Sequence, residues 1–292
     1  MIQLGGIMKK VLAITSILLL FTGCFKRDSM EGIDIYTTSY ATKYIMTALY
    51  GSNSNVESIY PKGIIIDDYT LTDKQIKDYS DCSLFVFNGN SNEGNYVIDM
   101  FKHNKNIKII DSTSSMEYEY GMEELWLNPS NLLMMAQNVK MGLDEYITNH
   151  YLLEEINTNY EEFKIKISNL DADIRLVAEE ANYKTIVVAN DLFKFLGKYG
   201  LEVISLDDKE LLTEKTIAQF KDLVKKEEIK YVYVSQNSEL SDEVKKLIED
   251  EKVEIVYLHT LSNISESEEN NKKDYVSIMQ DNIEALKKEL NK

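Results

Sequence analysis

The chain has 292 residues, 44% hydrophobic and 28% charged, enough apolar material for one large domain or two ordinary ones and too much for a small disulfide-stapled module. Asp and Glu number 49 against 32 Lys and Arg, a formal net charge of −17, which argues against a nucleic-acid partner, because phosphate backbones are bound by clustered cations. Only two cysteines occur, too few for a disulfide framework or a thiolate zinc cluster.

Residues 1–23 stand apart from the rest. Lys9 and Lys10 precede a nearly unbroken apolar run from Val11 to Phe21, which reads as a signal peptide and is shorter than the roughly 20 residues a spanning helix needs. The run closes on Leu20-Phe21-Thr22-Gly23-Cys24. Two small residues before a cysteine resemble a bacterial lipobox, although Phe21 stands where Leu is usual. Cys24 is therefore the expected lipidation site, and a two- or three-chain lipid would hold the protein at a membrane surface.

A short polar tether, residues 24–32, leads into alternating strands and helices. Ile33–Thr37 reads as a strand, Tyr40–Tyr50 as a helix stopped at Gly51, and Val56–Tyr60 as a second strand reaching Pro61. Thr72 caps a helix Asp73–Tyr79, followed by a strand Leu84–Phe87, a turn at Asn88-Gly89, a helix Tyr96–His103 and a strand Ile107–Ile110. Cys82, beside the third strand, reads as a small buried hydrophobe. Pro129 opens a helix Ser130–Thr148, with Asn128 or Ser130 as its cap.

From Leu153 the apolar positions Ile156, Tyr160, Phe163, Ile167, Leu170, Ile174 and Val177 alternate by three and four with polar residues between them, which describes one long amphipathic helix. The strand-helix rhythm then resumes: strand Thr185–Ala189, helix Leu192–Tyr199 stopped by Gly200, strand Glu202–Ile204 and helix Glu214–Glu227. Strand Lys230–Val234, helix Ser241–Asp250, strand Glu254–Leu258, a polar loop Ser262–Asp274 and helix Tyr275–Leu290 complete it. Strands separated by helices imply parallel sheets. The expected fold is α/β: an N-terminal lobe over 33–150, a linking helix over 151–180 and a C-terminal lobe over 181–292, each lobe a mostly parallel sheet flanked by helices.

Several segments together carry a resemblance. They are Ile35-Tyr36-Thr37-Thr38-Ser39, Leu71-Thr72-Asp73-Lys74-Gln75-Ile76 ahead of Leu84-Phe85-Val86-Phe87-Asn88-Gly89, and Leu125-Trp126-Leu127-Asn128-Pro129. Phe195-Leu196-Gly197-Lys198-Tyr199-Gly200 and the closing Asn282-Ile283-Glu284-Ala285-Leu286 continue the series. In this order they make nearly the whole chain after residue 23 similar to the metal-binding subunits of bacterial ABC importers, the zinc and manganese cluster of solute-binding lipoproteins. The resemblance implies a divalent metal held between two lobes as transported ligand, an ABC permease as partner, a monomer, and a lipid anchor at the outer face of the cell membrane.

It also implies four ligand positions, and all four differ here from the common set. Asp67 stands where the first His belongs, Glu124 where a second His precedes the Trp-Leu-x-Pro step, Asn190 at the third position and His259 at the fourth. One reading keeps them as a three-oxygen, one-nitrogen site, which favours manganese or iron over zinc on ligand type, while affinity order alone still lets zinc compete. The other leaves a surface lipoprotein, an adhesin or regulator, that kept the fold and lost the metal. His103 and His150 read as exposed helix-end residues, and the stretch Glu117–Glu124 as an acidic flap. No nucleophile elbow, phosphate loop or HExxH pattern is present, so an enzyme has no support.

Overall fold

A computed structural model describes residues 30–207 and 212–292; the signal peptide, Cys24 and most of the tether lie outside the described residues. The first sheet is built from β1 (Ile33–Thr37), β2 (Ser54–Ser58), β3 (Leu84–Phe87) and β4 (Lys108–Asp111) in the order β2-β1-β3-β4, all parallel. Its crossovers include α1 (Tyr40–Tyr50), α2 (Asp73–Tyr79) and α3 (Gly94–His103). Ser39 caps α1, and Thr72 caps α2 through a reciprocal box with Gln75.

The second sheet repeats this design. Strands β5 (Thr185–Val188), β6 (Glu202–Ser205), β7 (Tyr231–Ser235) and β8 (Glu254–Leu258) lie in the order β6-β5-β7-β8, again all parallel. Both sheets are covered on both faces, as parallel strands require. One apolar cluster around Ile59, Phe85 and Met100 fills the far side of the first sheet, and another around Phe220, Val232 and Val234 that of the second. The largest cluster runs continuously through both lobes.

Between the sheets come the short α4 (Glu124–Leu127), then α5 (Pro129–Tyr146) and α6 (His150–Glu180). Asn128 accepts from Ser130 N–H, and Pro129 sits at the first helical turn, where its missing N–H costs nothing. At 1.5 Å per residue the 31 residues of α6 run about 46 Å. The helix packs against α1, α5, a 3₁₀ segment Asp191–Tyr199, and α10 (Tyr275–Leu290), so it touches both lobes. Tyr160, Phe163, Ile167, Leu170 and Ile174 form its buried stripe, while Leu152 and Ala178 are buried at the ends where Leu153 and Val177 are only half-buried.

Several details depart from the sequence reading, among them the expected helix Leu192–Tyr199, which is a 3₁₀ segment, Asp191–Tyr199. Strand β2 begins two residues earlier than Val56, because Gly51 at φ +58° and a single 3₁₀ turn bring Ser54 directly opposite Ile33. Ile59 and Tyr60 run beyond the strand into the core under the first sheet. His150 opens α6 behind the Asn149 cap instead of closing α5, which ends at Tyr146. The stretch 262–274 holds the remaining short helix α9 (Glu266–Asn270), and α7 (Glu214–Lys225) and α8 (Asp242–Asp250) complete the second lobe.

Candidate functional site

In each sheet β1 and β3, or β5 and β7, are neighbours whose chains leave in opposite directions, so a crevice opens at their carboxyl ends. The two crevices face one another. Ser39 and Asn88 line the resulting cleft from the first sheet, Asn190 and Ser235 from the second, and the enclosed space is about 470 Å³. Among the described residues, six carboxylates line it, Asp67, Glu93, Glu123, Asp191, Asp207 and Glu268, together with one imidazole and no Lys or Arg, and Lys194 pairs with Asp191 at 2.8 Å from outside that lining. Such a lining attracts cations.

Of the four positions expected from sequence, the cleft brings in three. Asp67 lies in a 3₁₀ turn Ile66–Asp68 on the loop between β2 and α2 and is exposed at the cleft. Asn190 caps the end of β5, and its Oδ1 accepts from Ser235 N–H at 2.8 Å. His259 follows β8 and is held on both nitrogens. Its Nδ1 accepts from Leu261 N–H at 2.9 Å, so the ring proton of the neutral form is on Nε2, which lies 3.3 Å from Glu268 Oε1. Burial holds the His259 pKa below the ordinary imidazole range despite the Glu268 carboxylate beside it.

Glu124 stands behind the cleft wall. Its Oε2 accepts from Glu119 N–H at 3.1 Å and Tyr120 N–H at 3.2 Å, closing the acidic flap on itself, and the neighbouring Glu123 is the residue that lines the cleft. Among the described residues, no group of three or more His, Cys, Asp or Glu side chains is gathered closely enough to hold a metal ion directly.

Five of the six cleft carboxylates, Glu93, Glu123, Asp191, Asp207 and Glu268, were not among the expected ligand positions. Glu93 is 94% buried, since 6% remains exposed; it accepts from Asn88 N–H at 3.1 Å and meets Tyr60 Oη at 3.3 Å. Burial pushes its pKa up. Glu268 closes a capping box with Ser265 at the start of α9. Burial alone would raise its pKa, but the Ser265 hydroxyl and N–H, with His259, outweigh it and hold the carboxyl below its usual range. The Ser-x-x-Glu spacing of that box was the signal available for this helix; nothing in the spacing of Glu93 marked it, and Glu123 was marked only as part of the acidic stretch Glu117–Glu124. Leu261, buried and at φ +58°, fixes the loop between His259 and Glu268 in a conformation that favours glycine.

Two parallel-sheet lobes on one long helix, with an acidic cleft at their facing switch points, define a two-lobed solute-binding protein. The chain belongs to the family described as ZnuA, zinc-uptake complex component A, periplasmic, whose model matches residues 35–289. The members of this family are metal-binding, non-enzymatic transport components. The zinc-binding protein AdcA of Streptococcus pyogenes is 25% identical over 319 residues, covering 96% of this chain. The chain spans 61% of that relative's length. The high-affinity zinc uptake system protein ZnuA of Bacillus subtilis is 23% identical, covering 89% of this chain and 88% of its own. The Zn(II)-bound ZnuA-like domain of Streptococcus pneumoniae AdcA superposes with a TM-score of 0.70 at 23% identity, over 89% of this chain and all of that domain.

Proposed function

We propose that the protein is the binding component of an ABC importer for a divalent metal ion of the zinc or manganese class, held outside the cytoplasm by a lipid on Cys24 and delivering its cargo to a permease subunit. The observation that carries the reading is the cleft: it lies where both sheets open, and among the described residues it is lined by six carboxylates and no Lys or Arg. Asp67, Asn190 and His259 receive the cargo, and Glu124 serves it by shaping the flap that presents Glu123. Cys24 is the only other cysteine besides the buried Cys82, so it is the single acceptor for a lipid.

Metal content of the full chain purified without chelator tests the cargo. About one equivalent of zinc or manganese per chain, lost in the Asp67→Ala variant, is the expected result. Protein that carries no metal and takes up neither ion in a calorimeter would leave the alternative of a surface lipoprotein that retains only the fold. The anchor is tested separately by detergent partitioning: Cys24→Ser should leave the membrane fraction, and equal retention of parent and variant would overturn lipidation.

A further inference from the structure

We infer that the end of the first lobe opposite the cleft rests on the lipid surface, where the last turn of α3 and the loop after it contact anionic headgroups and hold the cleft away from the bilayer. This rests on the reading of Cys24 as a lipid anchor.

Topology decides which end of the lobe faces lipid. All four strands of the first sheet are parallel, and their carboxyl ends open into the cleft. Their amino ends therefore gather at the opposite end of the lobe. The chain enters β1 there: Tyr50 Oη donates to Met30 C=O at 2.6 Å, and Gly32 N–H donates to Asn53 C=O at 2.7 Å just before Ile33. Cys24 precedes Met30 by six residues, a span of at most about 20 Å at ~3.5 Å per residue. A lipid on Cys24 thus keeps this end close to the bilayer.

The surface presented at that end has its own chemistry. Helix α3 runs toward it, ends at His103 and feeds β4, which lies two strands over from β1, about 10 Å away at ~4.8 Å per strand. Ile98 is 58% exposed and Phe101 42% on the outer face of α3, whereas Met100 faces the core. Residues 101–108 read Phe-Lys-His-Asn-Lys-Asn-Ile-Lys, three lysines and no carboxylate, in a chain of formal net charge −17. Lys105 Nζ lies 4.6 Å from the Phe101 ring centroid and pairs with no carboxylate among the described residues. Asp99 is the acidic residue on this turn, and Lys102 pairs with it at 2.7 Å. The carboxylates Asp144 and Glu145 near the end of α5 belong to the other face of the sheet, since α5 packs Leu143 into the core that holds Ile110 and α3 packs Met100 into the core that holds Phe85.

Exposed aliphatic and aromatic groups beside lysines suit an interfacial contact: the apolar groups enter the headgroup boundary and the ammonium groups meet anionic lipid. Alone such a patch is weak on an acidic protein. The tether makes the contact an intramolecular event at high effective concentration.

A surface tryptophan quenched by brominated lipid reads this contact. Trp126 is 2% exposed, so it contributes a constant background. With the full lipid-bearing chain on vesicles of brominated phosphatidylcholine and phosphatidylglycerol, Asn106→Trp should be quenched, and Lys246→Trp, exposed on α8 of the second lobe, should not. Adding Lys105→Gln should lower the ratio of contacting to free chains at residue 106 roughly fivefold; Phe101→Ser and the omission of phosphatidylglycerol should lower it too. Equal quenching of both tryptophans would mean that no face is preferred and would overturn the inference. Quenching at residue 106 that ignores both Lys105→Gln and the anionic lipid would be proximity through the tether alone and would also overturn it, as would no quenching there. A native chain without lipid would overturn the anchor instead. The unmodified Cys24 thiol would then be coupled to a maleimide lipid, Cys82 being buried, and the same measurement decides the contact surface.

Discussion

Glu93 shows how a single buried carboxyl sets a measurable pH dependence. Its pKa is raised because burial penalises the charged form more than its hydrogen bonds support it. A carboxyl with a raised folded pKa contributes fully below the unfolded value, about 4.3, and that contribution is lost as pH rises through the folded pKa. Glu93→Gln keeps a carbonyl to accept from Asn88 N–H and carries no charge. The variant should therefore gain stability relative to the parent between pH 4 and pH 7, as followed by urea denaturation at both. A constant difference between the two proteins across that range would mean that the carboxyl is not the titrating group. Gly89 makes a second point at this scale. A Cβ there would lie 2.1 Å from the Asp111 carboxylate, which already binds Gly89 N–H at 2.9 Å. The Asn88-Gly89 turn was legible in the sequence, but the carboxylate that demands glycine was not, since it comes from a strand 22 residues away.

The long helix α6 is the element on which the sequence spoke most clearly, because a buried stripe at three- and four-residue spacing is a local signal that survives folding. Phe163 and Leu170 are almost wholly buried between the lobes. Truncating either to Ala should cost about 2 to 5 kcal/mol as a core cavity, while exposed Asn169→Ala should change stability by less than about 0.5 kcal/mol. Thermal melts of the three variants decide it, and similar losses at all three would refute the packing. Lys166 is no neutral control despite lying off the stripe. Its Nζ meets Asp274 at 2.9 Å and sits 5.5 Å over the Tyr44 ring. Elements set by non-local contacts were less legible. Strand β2 lies at the sheet edge and is at most half-buried, so register against β1 placed it, not its own apolar pattern. The candidate site divides in the same way. The positions Asp67, Asn190 and His259 followed from motif order, whereas the engagement of His259 and Glu124 with backbone amides depends on loop shape and has no sequence period.

At the scale of the molecule, the two lobes are sewn together on one side of the cleft by the segment after β8. Trp126 Nε1 donates to Thr260 C=O at 2.7 Å, Tyr275 Oη donates to Trp126 C=O, and Tyr40 N–H donates to Ser262 C=O at 2.9 Å. Further along, Gly63 N–H donates to Ile264 C=O at 3.0 Å, and Lys62 pairs with Glu269. Asn263 is the centre of this seam: its side-chain amide donates to Pro61 C=O at 2.8 Å and to Ile64 C=O at 3.1 Å, which pins the loop that carries Asp67. The exposed Lys62–Glu269 pair adds little by itself, as surface ion pairs do. The amide of Asn263 is worth more, about 0.5 to 1.5 kcal/mol for each net hydrogen bond. Asn263→Ala should therefore release the loop at 61–69 while leaving both sheets intact, because no strand residue bonds to that side chain. Hydrogen exchange should speed up at residues 63–69 and stay unchanged in β5 and β7. Unfolding followed by emission of Trp126, the chain's single tryptophan, should fall by about 1 to 3 kcal/mol in total. Uniformly faster exchange in both lobes would instead mean that the seam holds the whole fold, and unchanged exchange at 63–69 would mean that the loop is positioned by its own packing on Tyr60 and Tyr69.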